Sequence, residues 1–92
     1  MPTILVMPRL AREWTQLDKE LMNRVIDAWY SMNDPPSLRA LSRTLDVSAP
    51  RIMDLRDQKN GRPLIGEYID FCAAVGLDPA KTLDQALKAT GR

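Results

Sequence analysis

Ninety-two residues suit one domain with one modest hydrophobic core; a second core would be too small to hold alone. With 45% apolar and 27% charged residues the chain reads as globular rather than disordered, and no apolar run approaches the roughly 18–20 residues of a membrane helix. A net charge of +1 is only a weak sign of a polyanion partner. The absence of histidine removes the commonest general base and zinc ligand, and the single Cys72 excludes an internal disulfide or a cysteine metal pair.

Residues 1–12 read as an arm. "TILVM" has strand-forming residues, but Pro2 and Pro8 bracket it and no partner strand is evident. It either packs on the domain or pairs with another chain. The segment has no basic region ahead of it and no small-residue cleavage site, so it does not read as a signal peptide, and the cytoplasm is the default location. Residues 15–31 read as a helix, capped by Thr15 with Asp18 three positions on. Leu17, Leu21, Val25 and Trp29 recur every four residues, and Met22 and Ile26 widen the stripe. "NDPPS" stops this helix, because consecutive prolines cannot continue it.

A short helix over 37–45 follows, with Ser37 as N-cap and Leu38, Leu41 and Leu45 on one side. Asp46 sits where the chain must turn and tolerates a left-handed conformation. Ser48 then caps a third helix over 48–58, with Pro50 in its first turn and Ile52 and Leu55 facing inward. "KNGRP" ends it at a strong turn signal. A fourth helix spans 64–75, its apolar face marked by Leu64 or Ile65, Tyr68, Ile69, Cys72 and Val75. Gly76 breaks it, and Asp78-Pro79 starts a fifth with a narrow stripe of Leu83, Ala86 and Leu87. Five helices with short connections make an all-α domain. Trp14, Trp29, Tyr68 and Phe71 read as core or interface residues, and Cys72 as a small buried hydrophobe.

The three-residue connection Asp46-Val47-Ser48, with Val47 expected to be buried, sets the second and third helices at a steep angle, as in a helix-turn-helix. Charge distribution is uneven around it. Residues 37–62 carry six cations (Arg39, Arg43, Arg51, Arg56, Lys59, Arg62) against three carboxylates, a net +3. Residues 13–36 carry two cations against five carboxylates, a net −3.

"SLRALSRTLDVSAPRIMDL", followed by "NGRPL" and "FCAAVGLDPAKTL", resembles the Cro/CI-type (XRE) helix-turn-helix family, in the short form found in bacteriophages and actinobacteria. The likeness covers about residues 14–88. It rests on Ser37, Leu41, Ser42, Leu45, Val47, Ser48, Ile52 and Leu55 in order, and on "VGLDP" between the last two helices. The chain departs from the pattern with Asp46 in place of the usual turn glycine, Leu38 in place of a frequent glutamine, Met53 for a small residue and Arg56 for an acidic one.

The resemblance implies a five-helix Cro/CI repressor-like DNA-binding domain over 13–92, with its helix-turn-helix at about 37–58. It implies a sequence-specific transcriptional regulator of double-stranded DNA, a Cro-like phage or prophage repressor. The helix over 48–58 would enter the major groove, with Ala49, Pro50, Arg51 and Asp54 toward base edges. Arg51 would be the direct reader of guanine. Phosphate contacts would come from Ser37, Arg39, Arg43, Ser48, Lys59, Asn60 and Arg62. A homodimer on two half-sites would supply specificity, through Leu83, Ala86 and Leu87 or through "TILVM". Two rivals stand beside this reading. One is the antitoxin of a toxin–antitoxin pair, with its partner bound through residues 1–12. The other is a helical protein-interaction module that has lost DNA binding, motivated by near-neutral charge and by Asp54 and Asp57. Catalysis is not expected, since no histidine-based or convergent carboxylate constellation is present, and no cofactor is implied.

Overall fold

Residues 13–91 are described in a computed structural model of the chain. The arm expected over 1–12, including "TILVM", lies outside the described residues, as does Arg92. Among the described residues there are five helices and no strand: α1 Gln16–Ser31, α2 Leu38–Leu45, α3 Ala49–Asp57, α4 Ile65–Ala74 and α5 Pro79–Ala89.

Side-chain caps set the helix starts. Asp18 N donates to Thr15 Oγ1 at 3.1 Å and Thr15 N donates to Asp18 Oδ2 at 2.9 Å, a reciprocal box. Ser37 Oγ accepts from Ala40 N, Ser48 Oγ from Arg51 N, and Asp78 Oδ1 from Ala80 N and Lys81 N. Each cap satisfies an amide that the helix cannot, worth about 1 kcal/mol. Trp29 Nε1 donates to Pro36 O at 2.8 Å, fastening the proline loop back onto α1.

α1 packs on α3, α4 and α5, while α2 packs on α3 and α4. Met22 and Val25 of α1, Leu41 of α2, Ile52 and Leu55 of α3, and Phe71 and Cys72 of α4 are fully buried where these helices meet. Trp29 meets Phe71 edge-on with centroids 6.0 Å apart. Each of the large aliphatic side chains contributes about 1.5–3 kcal/mol by leaving water.

Two expected faces are rotated. On α4 the inward face is Tyr68, Phe71, Cys72 and Val75, leaving Ile65 and Ile69 exposed, together with Leu64 ahead of the helix. Phe71 is the bulkiest fully buried side chain, and seating it turns Ile65 and Ile69 outward. On α5 Ala86 is fully buried against α1 rather than free, because a methyl side chain lets the two helices approach closely. It is therefore core, not dimer interface, and Leu83 and Leu87 beside it are half-buried.

Candidate nucleic-acid interface

The connection between α2 and α3 is Asp46-Val47-Ser48. Asp46 adopts the left-handed conformation, φ 56 and ψ 43, and its N–H closes the end of α2. Val47 is half-buried against the core rather than fully buried. Its N–H donates to Ser42 O at 3.1 Å and its carbonyl accepts from Ser42 Oγ, so this small residue of α2 satisfies the turn. Met53, at 40%, Pro50 and Asp57 are the exposed residues of α3, and Ala49 is half-buried.

Arg51 does not project into solvent as a free base reader. Its Nε and one Nη donate to the two carboxylate oxygens of Glu67, both at 2.8 Å. The remaining donors reach Asn60 O at 3.2 Å, Gly61 O at 3.3 Å and Arg62 O at 3.0 Å. A guanidinium has five N–H groups, and all five are accounted for. A bidentate contact to guanine would require giving up the Glu67 fork or the loop carbonyls. Without DNA, Arg51 is engaged within the fold, whereas the expected direct reader needs its guanidinium free.

The same contacts make Arg51 the organiser of the α3–α4 loop. Gln58, Asn60 and Gly61 all have positive φ there. Peptides are trans among the described residues, so turning the carbonyls of Asn60 and Gly61 toward Arg51 points the amides of Gly61 and Arg62 away from it. Glu67 Oε1 also accepts from Leu64 N at 2.8 Å, which ties the latch to the start of α4. Hydrogen bonds from Arg51 hold the Glu67 carboxyl below its ordinary value, outweighing the opposing effect of burial.

Other expected site residues divide in two. Asn60 donates to Asp54 Oδ1 at 2.9 Å, so Asp54 already has a partner for one oxygen and Asn60 Nδ2 is engaged. Arg62 pairs with Asp18 at 2.7 Å, and Arg56 with its neighbour Asp57 at 3.0 Å. Burial raises the Asp18 carboxyl, yet hydrogen bonds from Arg62 and Thr15 outweigh it and leave Asp18 below its ordinary value. Arg39, Arg43 and Lys59 are exposed and make no ion pair among the described residues. Ser37 and Ser48 are exposed caps, each at the start of a helix in this unit.

Sequence reading missed Glu67, Asp18 and Met53 as parts of this surface. Glu67 and Asp18 lie 16 and 44 residues from their arginine partners, a separation that no local pattern announces. Met53 was legible, as an apolar residue off the Ile52–Leu55 stripe. No metal-holding group of side chains occurs among the described residues, and no helix among them is long and apolar enough to cross a membrane.

Comparison with protein families, with curated proteins and with solved structures finds no match to this chain.

Proposed function

We propose that the chain is a sequence-specific double-stranded DNA-binding regulator of the Cro/CI type, a small phage-like repressor that lays α3 in the major groove. One observation carries this reading: a three-residue turn, left-handed at Asp46, joins a capped α2 to a capped α3 that presents Pro50 and Met53 to solvent. Arg39, Arg43 and Lys59 supply charge for the phosphates. Base contacts fall to Ala49, Pro50 and Met53, which are apolar and suited to thymine methyl groups. Two copies on a pair of half-sites complete the reading, because one such helix end offers few contacts.

The test is fluorescence anisotropy on duplexes tiled across the DNA flanking the gene, at two salt concentrations. Tight binding to one tile, weakened steeply by salt, is the expected result. Equal, weak binding to every tile removes the sequence-specific reading. A second reading, a helical protein-interaction module without DNA affinity, is favoured by one observation: the best base-reading side chain, Arg51, is wholly committed inside the protein. No binding to any tile at low salt selects it.

A further inference from the structure

α4 and α5 enclose an apolar groove of about 240 Å³, lined by Ile65, Tyr68, Ile69, Pro79, Ala80 and Leu83. Tyr68 offers no polar handle there, because its hydroxyl donates to Pro79 O at 2.6 Å. Beside the recess stands a projection: Leu64 is 67% exposed, Ile65 70% and Ile69 44%. Gly66, in the first turn of α4, lies next to this ridge. It is exposed, its φ is not left-handed, and a Cβ there would meet nothing among the described residues. Alanine would fit and favour the helix by roughly 0.5–1 kcal/mol, so the bare backbone suits a close approach from outside.

Opposite charges border this face. One residue, about 100°, beyond Ile69 around α4 is Asp70; the same step beyond Ala80 around α5 is Lys81. Both are exposed, and neither makes an ion pair among the described residues. Asp84 and Lys88, also on the α5 edge, neutralise each other at 3.1 Å. The α4 edge is thus acidic and the α5 edge basic, with apolar residues between.

We infer that a second copy of this chain occupies the groove, each copy setting its Ile65–Ile69 ridge into the recess of the other. This association forms without DNA and does not rest on the DNA-binding reading. Neutral as a whole, the face draws neither an acidic nor a basic partner. It is instead complementary to itself, having ridge and recess, acidic edge and basic edge, on one surface. A two-fold axis parallel to α4 satisfies both matches twice, bringing Asp70 of each copy toward the basic edge of the other. Area sets the strength. Three aliphatic side chains and a small groove fall short of the about 800 Å² per partner of a standard interface, so the dimer belongs to the weak, concentration-dependent class, with Kd on the order of 100 μM.

The test is sedimentation equilibrium of the full chain from about 10 μM to about 1 mM, a range that brackets this Kd. The expected result is a monomer–dimer equilibrium that Ile65→Asp/Ile69→Asp weakens at least about tenfold, with the melting temperature of the dilute chain unchanged because both positions are exposed. Asp70→Lys and Lys81→Asp are each expected to weaken it about fivefold, and the double variant, which exchanges the two edges, to recover it. Two results overturn the inference. A chain that stays monomeric at about 1 mM leaves the face to a different partner. A dimer equally strong in Ile65→Asp/Ile69→Asp seats the second copy elsewhere.

Discussion

Arg51 shows how a residue chosen for one role can be held in another. Its five donors meet one carboxylate and three carbonyls, with only 19% of the side chain exposed. Lysine would keep the charge but offers three donors and no planar fork. Arg51→Lys is therefore expected to lose about 1–2 kcal/mol and Arg51→Ala about 2–3 kcal/mol, since the alanine variant leaves Glu67 half-buried without its partner. Urea unfolding measures both, and equal stability of the lysine variant would show that charge alone matters. Asp46 makes a separate point. At φ 56 it pays a left-handed penalty that a residue with a Cβ always feels. Asp46→Gly is expected to match or exceed the parent in stability. Asp46→Ala, with neither glycine's freedom nor a short polar side chain, is expected to lose about 1 kcal/mol. Thermal melts of the two variants, read side by side, check the order.

Among the helices, the caps and stops were legible because they are local: Thr15 with Asp18, Ser37, Ser48 and Asp78-Pro79 all sit where the structure caps a helix. Orientation was less legible. On α4, Ile65, Tyr68, Ile69 and Cys72 fit one stripe as well as Tyr68, Phe71, Cys72 and Val75 fit another, and only contact with α1, α2 and α5 decides between them. α5 was read as carrying a spare stripe because Ala86 gives no sign of how close α1 comes. Ala86→Leu is accordingly expected to cost about 1–3 kcal/mol by overpacking the α1–α5 contact. A melting temperature that stays put would return Ala86 to the surface. The two long-range ion pairs, Arg51–Glu67 between α3 and α4 and Arg62–Asp18 between the loop and α1, also set a pH dependence. Both carboxylates titrate below their ordinary values of 4.5 and 3.8 in the folded chain. The unfolded chain thus binds protons first, so this stabilisation is complete above about pH 5 and is lost as pH falls through the folded values. Midpoints in urea should decline below pH 4.5, and Glu67→Gln should flatten part of that decline at the cost of a lower plateau near neutrality.

For the molecule as a whole, net charge is a poor guide to what DNA would feel. The basic segment 37–62 has six cations, but Arg51, Arg56 and Arg62 are each paired within the fold. Arg39, Arg43 and Lys59 remain, all exposed. Counterion release counts only cations that neutralise phosphates, whereas backbone amides and neutral caps add contacts without adding to the salt slope. Three such cations per copy give a slope of log K against log salt of about −3 for one copy bound, and about −5 for two copies on paired half-sites. The slope therefore reports stoichiometry as well as charge. Arg39→Ala, Arg43→Ala and Lys59→Ala should each make it shallower by about 1 per bound copy, with similar loss on specific and random duplexes. Met53→Ala should behave in the opposite way, leaving the slope alone while reducing the preference for the specific tile, because a methyl contact releases no counterion. Anisotropy titrations of these four variants over a threefold salt range separate the two behaviours. If the three charge variants leave the slope unchanged while binding persists, the phosphates are met by another face of the protein, and α2 and the α3–α4 loop lose their place in the interface.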